Sequence, residues 1–252
     1  TEPCSIPKIY TEIGCKPIYA RGQPNCPISF DCDFLSARND FQCYYKGKAY
    51  TVGQQLDADP DNPCAVSCSC VLYDQGALWD CAVLDCPEYD GGLSYGDQNC
   101  YYKYSFDSCC ARTKCYSSYD KLDQCQFNGT TYLEGQVIEH TTDPCSTCLC
   151  QSGFTGQLGK QFCREKQCSI ELYNTQVIRD GCTPVYMENG CCPYDFRCPR
   201  DSDVVIGGGL VSGHRCKFGR LTFNIGDLLV SRNECELCSC IMPPFISCIN
   251  VC

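Results

Sequence analysis

A small, disulfide-rich, mainly β fold, arranged as tandem cysteine-rich modules in an elongated array, is what this 252-residue sequence predicts. Three observations predict it. Thirty residues are cysteine, about 12% of the chain, where 8 to 10% already marks a disulfide scaffold. The cysteines recur in one order along the chain. Between them lie short aromatic segments bounded by glycine, and no segment holds a 3.6-residue apolar period with caps, so strands should dominate and helix should be scarce. Leu, Ile, Val and Phe together supply only about a fifth of the residues, too few for one large apolar core. Cross-links must therefore carry much of the folding free energy.

The repeat follows from the spacing. Cys43, Cys64, Cys68, Cys70, Cys81 and Cys86, then Cys100, Cys109, Cys110 and Cys115, form a ten-cysteine unit. The order returns as Cys125, Cys145, Cys148, Cys150, Cys163 and Cys168, then Cys182, Cys191, Cys192 and Cys198. Cys216, Cys235, Cys238, Cys240, Cys248 and Cys252 repeat the first six positions. At the other end, CSIPKIYTEIGCKPIY from Cys4 aligns with CSIELYNTQVIRDGCTPVY from Cys168, and CPISFDC from Cys26 with CPYDFRC from Cys192. Asn25 stands where Cys191 would be, so this half is expected to be self-contained. The chain reads as half, full, full, half, over 1–32, 43–115, 125–198 and 216–252.

Within the three six-cysteine halves, YYKGKAYTVGQ, QFNGTTYLEGQ and KFGRLTFNIGD place Gly47, Gly129 and Gly219 in register. Tyr50, Tyr132 and Phe223 align next, then Gly53, Gly135 and Gly226. Strands joined by glycine turns are the natural reading. Asp33 to Gln42, Tyr116 to Gln124 and Pro199 to Arg215 read as linkers, the last with a hinge at Gly207, Gly208 and Gly209. Its apolar run, Asp203 to Leu210, could instead add an edge strand to a neighbour, with a floppy linker the simpler reading.

These cysteines, with their CxxCxC cluster, CC pair and Gly/aromatic/Gly signature, resemble the von Willebrand factor type C module over nearly the whole chain. The extra residue in Cys64-Ala-Val-Ser-Cys68 departs from that pattern and should bulge a loop. The resemblance implies a small antiparallel sheet followed by an irregular cross-linked lobe in each module. It also implies pairs: Cys43 with Cys70, Cys64 with Cys109, Cys68 with Cys81, Cys86 with Cys110, and Cys100 with Cys115 in the first full unit. In the second they are Cys125 with Cys150, Cys145 with Cys191, Cys148 with Cys163, Cys168 with Cys192, and Cys182 with Cys198. The N-terminal half would pair Cys4 with Cys26 and Cys15 with Cys32, and the C-terminal half Cys216 with Cys240 and Cys238 with Cys248. Cys235 and Cys252 then either pair with each other or reach outside the chain.

So many cysteines persist only in an oxidising compartment, and the expectation is a secreted, extracellular, mature chain. Net charge is −10, which argues against nucleic-acid binding. The longest apolar stretch, Val204 to Val211, is too short for a transmembrane helix. No catalytic residue, metal or cofactor is expected: His140 and His214 read as solvated loop residues, and the Cys145-x-x-Cys148-x-Cys150 cluster reads as disulfides and not zinc. Asp57, Asp59 and Asp61 alternate as in a calcium loop, but Asn62 replaces its glycine and Cys68 its glutamate, so a solvated loop is preferred. Asn128-Gly129-Thr130 is the glycosylation sequon, and Asn128 the expected site. Seventeen tyrosines either form the core or offer an aromatic, anionic surface.

Two functions lead, ahead of other roles such as host defence or inhibition. One is a rod-like matrix or self-assembling component whose split ends complete each other head to tail between molecules. The other, implied by the resemblance, is a modulator that binds a basic growth factor of the bone morphogenetic protein or transforming growth factor β class.

Overall fold

The computed structural model describes residues 4, 6–82, 84–89, 99–117, 122–139, 143–209, 211, 213–230 and 235–252. It begins with helix α1 (Lys8–Glu12), strands β1 (Lys16–Tyr19) and β2 (Pro27–Asp31), and a 3-10 turn over Asp33–Ala37. Strands β3 (Gln42–Tyr45), β4 (Lys48–Thr51), β5 (Ser69–Tyr73), β6 (Gly76–Asp80), β7 (Cys100–Lys103) and β8 (Arg112–Cys115) follow. Next come β9 (Gln124–Phe127), β10 (Thr130–Leu133), β11 (Val137–Ile138), β12 (Ser146–Leu149) and β13 (Cys163–Glu165). Two short helices, α2 (Ile170–Tyr173) and α3 (Thr175–Arg179), precede β14 (Thr183–Met187), β15 (Pro193–Arg197) and β16 (Val204–Ile206). The last strands are β17 (Cys216–Phe218), β18 (Leu221–Phe223), β19 (Leu228–Val230), β20 (Glu236–Ser239) and β21 (Ser247–Asn250). The fold is small-sheet, disulfide-rich and mainly β, as the composition predicts.

One local design recurs three times. Hairpins β3–β4, β9–β10 and β17–β18 place Cys43 opposite Tyr50, Cys125 opposite Tyr132 and Cys216 opposite Phe223. Lys46–Gly47 and Asn128–Gly129 turn with positive φ at both residues, the type I′ geometry whose twist matches the strands. A fixed set of hydrogen bonds follows: Gly53, Gly135 and Gly226 N–H donate to the carbonyls of Cys70, Cys150 and Cys240. Return bonds run from Cys70, Cys150 and Cys240 N–H to the carbonyls of Gln54, Gln136 and Asp227. The side chains of Gln54, Gln136 and Asp227 accept from Thr51, Leu133 and Asn224 N–H.

The bridges repeat with it. Cys43–Cys70, Cys125–Cys150 and Cys216–Cys240 each hold Cα atoms 5.7 Å apart. Cys68–Cys81, Cys148–Cys163 and Cys238–Cys248 tie neighbouring chain segments side by side. Cys15–Cys32, Cys100–Cys115 and Cys182–Cys198 staple the hairpins β1–β2, β7–β8 and β14–β15. Cys4–Cys26, Cys86–Cys110 and Cys168–Cys192 brace the approach to them. Cys64 bonds to Cys109, Cys235 to Cys252, and Cys145 and Cys191 are also disulfide-bonded, so no cysteine is free. In the longer Cys64–Cys68 segment, Ser67 takes positive φ and Val66 N–H returns to the Cys64 carbonyl, a local bulge.

Packing divides the chain into two compact units, Thr1–Gln55 with Ser69–Asp80 and Cys168–Cys252, and Leu56–Cys68 with Cys81–Gln167. In the second, Ile138, Phe154, Phe162 and Leu158 pack around Cys125–Cys150 and Cys148–Cys163. The first contains a six-stranded sheet in the order β15-β14-β21-β20-β19-β16. Its inner face supplies Val185, Leu229, Cys238 and Cys248 to a core completed by Phe218 and Phe223. β14 joins β21 in parallel, Val185 opposite Cys248, and the Thr183 hydroxyl donates to the Ile246 carbonyl.

Two linkers turn out to be structured. Asp33–Ala37 is a 3-10 turn. In the Pro199–Arg215 segment, Val204–Ile206 pairs antiparallel with Leu228–Val230 of the same chain, and Gly208 and Gly209 N–H both donate to the Asp227 carboxylate. A Cβ on Gly209 would collide with the Ile225 carbonyl, so the glycine permits a close approach and is no hinge.

Candidate functional site

Within the first unit, the N-terminal segment packs on the C-terminal one. Pro7 precedes α1, a single turn that aims Ile9, Tyr10 and Ile13 into a shared core with Phe30, Ile170 and Met242. The Tyr10 ring stacks on Phe30 at 4.2 Å and on Phe245 at 5.4 Å. Its hydroxyl donates to the Met242 carbonyl and accepts from Phe245 N–H at 3.0 Å. Burial pushes the Tyr10 phenol far above its usual range, so it stays neutral at physiological pH. Phe30 N–H donates to the Pro243 carbonyl at 2.8 Å. Ile9 N–H reaches the Tyr186 hydroxyl at 3.4 Å, where burial again raises the phenol's pKa.

This contact corrects the expectation that the split ends meet between molecules: they meet inside one chain. Tyr10 and Phe30 are buried at this junction, with Phe245 half-buried beside them. His214 is also corrected. It is half-buried, and its Nδ1 lies 3.0 Å from the hydroxyl of buried Ser29, linking the two segments. Beside it opens a cleft of about 760 Å³, with Phe30 and Phe245 among its apolar residues and Asp33, His214 and Lys217 among its polar ones. Such a mixed apolar and charged lining can take an amphipathic side chain.

Two buried ionic groups stiffen the same unit. Glu171 is 2% exposed; it accepts from Arg38 Nη2 and from Lys46 N–H, both at 2.5 Å. Burial raises its pKa, partly offset by Arg38 and the Lys46 amide. Glu12 accepts from Cys168 N–H at 2.7 Å, fixing α1 at the start of α2. Arg197 forms a two-pronged pair with Asp203, at 2.5 and 3.1 Å, and also reaches Glu236. Burial works to raise the Asp203 carboxyl, but Arg197 and the Arg200 amide outweigh it and hold it below its usual range.

Asn128 is exposed at the tip of the β9–β10 turn, with Thr130 exposed beside it, so the sequon is open to modification. Asp59 accepts from Asp61 N–H at 3.0 Å and buried Asn62 closes the same turn, a local Asx arrangement. Asp57 and Asp61 are exposed. The sulfurs of Cys86, Cys109 and Cys110, and of Cys168, Cys191 and Cys192, cluster closely, but each is already in a disulfide and offers no thiolate to a metal. Tyr10, Tyr45, Tyr50, Tyr101 and Tyr186 are core residues, whereas Tyr19, Tyr73, Tyr89, Tyr173 and Tyr194 are exposed. His140 lies outside the described residues.

The roles of Tyr10, Arg38, Glu171, Arg197 and Asp203 were not read from the sequence. A weak signal existed for the last pair, since Asp203 opens the apolar run VVI and a charge there needs a partner. Among the described residues, no helix is long and apolar enough to cross a membrane. No protein-family model matches the chain, and no solved structure matches it. Thirty oxidised cysteines and this architecture define the class: a disulfide-rich β protein of a kind compatible with the extracellular space.

Proposed function

We propose that the chain is a secreted, non-catalytic structural or interaction protein, a component of an extracellular matrix or other assembly, built from modules of the von Willebrand factor type C kind. The observation that carries this reading is the threefold recurrence of one stapled hairpin, with the same register, return hydrogen bonds and bridges. Such repetition supplies rigid, chemically inert surface at several places along one chain. Asn128 is the proposed glycan site, and a glycan there would keep the β9–β10 turn clear of partners.

Assembly cannot use the N- and C-terminal segments while they are joined inside the chain, so it requires another surface. A second reading, capture of a basic growth-factor dimer, is favoured by the net charge of −10 together with the exposed tyrosines. Sedimentation of the oxidised full chain across a wide concentration range separates them. A rising sedimentation coefficient supports assembly. A constant coefficient, with nanomolar capture of a transforming growth factor β-class dimer in a parallel binding assay, transfers the proposal to the second reading.

A further inference from the structure

The outer face of the six-stranded sheet is apolar where a sheet facing water alternates apolar inside with polar outside. Val204 and Ile206 on β16, Leu228 and Val230 on β19, Leu237 on β20, Ile249 on β21 and the following Val251 are each 37 to 58% exposed. The pairing aligns them across the sheet: Val204 opposite Val230, Ile206 opposite Leu228, and Leu237 opposite Ile249. The Val251 amide bonds to the Cys235 carbonyl, continuing that row. The outward residues interleaved with them on β20 and β21 are Ser239 and Ser247, so no ionisable side chain from these strands enters the face.

The internal repeats serve as a control. Counting from the aligned glycines and cysteines, Leu228, Val230, Leu237, Ile249 and Val251 correspond to Val137, Glu139, Thr147, Arg164 and Lys166 in the middle copy. In the first copy they correspond to Gln55, Asp57, Ser67, Ala82 and Leu84. The same stapled design therefore tolerates polar and charged residues at these positions, and folding does not require aliphatic ones. In the third copy all five are aliphatic, and β16 adds two more.

We infer that this face is the docking surface for a second copy of the chain, packed sheet on sheet about a twofold axis. The inference rests on the assembly reading and names the surface it uses. Two features select a second copy as occupant. The seven side chains expose on the order of 500 Å², at the top of what one patch on a monomer normally shows. Two such faces together bury about 1,000 Å², the threshold for a specific interface. The face also continues one already closed within the chain, because Pro184 and Tyr186, on the same side of β14, are buried, with Tyr186 bonded from α1. An aliphatic face to which these strands contribute no charge is complementary to itself, and an isologous pair closes without growing further.

The test is sedimentation equilibrium of the oxidised full chain, wild type against Val230→Lys/Leu237→Lys. Val137→Lys, at the position in the middle copy that matches Leu228, is the control. Wild type should approach twice 28.1 kDa, the double variant should dimerise about 100-fold more weakly, and the control should match wild type. Raised salt should leave the wild-type dimer intact, since no ion pair is involved. If the double variant loses its oxidised disulfide pattern, Val204→Thr/Ile206→Thr replaces it, with about a 10-fold weakening expected. Association that ignores both variants overturns this face and leaves the assembly reading standing. A wild-type chain that stays monomeric throughout overturns both.

Discussion

Hairpins β1–β2 and β14–β15 are the same piece of structure in different company. Pro17 faces Phe30 as Pro184 faces Phe196, and each hairpin shifts register one step later, at Ile18/Tyr19 and at Val185/Tyr186. Each is stapled at its base, by Cys15–Cys32 and Cys182–Cys198. Yet β14 buries four of its five residues and β1 buries none. The cause is β21, which pairs with β14 in parallel, whereas among the described residues β1 pairs with β2 alone. The disulfide and the bulge set the hairpin; the neighbouring strand sets what it buries.

The comparison can be broken most severely at Tyr10, which holds the exposed hairpin's segment in place. Tyr10→Ala should cost about 3 to 5 kcal/mol in denaturant unfolding, and Tyr10→Phe about 1 kcal/mol. A cost near zero for the alanine would mean that the N-terminal segment does not depend on this junction. Between the hairpins themselves, Val185→Ala should cost about 2 kcal/mol and its counterpart Ile18→Ala less than about 1 kcal/mol, because only Val185 has a strand on its far side. Equal costs would remove the role assigned to β21.

Acid sharpens the contrast. The Asp203 and Asp227 carboxyls are depressed, the latter chiefly by the Gly209 and Asn224 amides. Their stabilisation is complete above the unfolded value of about 3.9 and is lost as pH falls through the lower folded values. Glu171 has the opposite sign: its raised pKa gives stabilisation that is complete below about 4.3 and lost as pH rises through the folded value. Hydrogen exchange near pH 3 should therefore loosen β16 and β19 before the amides around Lys46. The smallest effect concerns the glycan. Asn128→Gln should remove any glycan mass from secreted material while changing stability by no more than about 0.5 kcal/mol.

The local design was legible because it is written in residues with narrow roles. Asn128-Gly129 demands a hairpin turn, and the cysteine spacing repeats whatever lies between. Long-range partners left no such mark. Nothing in TPVYM and SCIN says that they pair in parallel, 63 residues apart from Val185 to Cys248, because both are ordinary strand sequences. The three consecutive glycines were misread because glycine serves mobility and tight packing alike, and only the Ile225 carbonyl beside Gly209 tells them apart. The site at Tyr10 was hidden for a similar reason: one tyrosine among seventeen acquires its role from Phe30 and Phe245.

Both bridges of the N-terminal half, Cys4–Cys26 and Cys15–Cys32, close within residues 4–32. That segment is therefore joined covalently to the rest of the molecule by backbone alone. A single peptide-bond cut among the exposed residues Asn39, Asp40 and Phe41 would turn it into a bound ligand of its own chain, held by the Tyr10 aromatic stack. Its release would then be governed by dilution and affinity, with every disulfide in the molecule still intact.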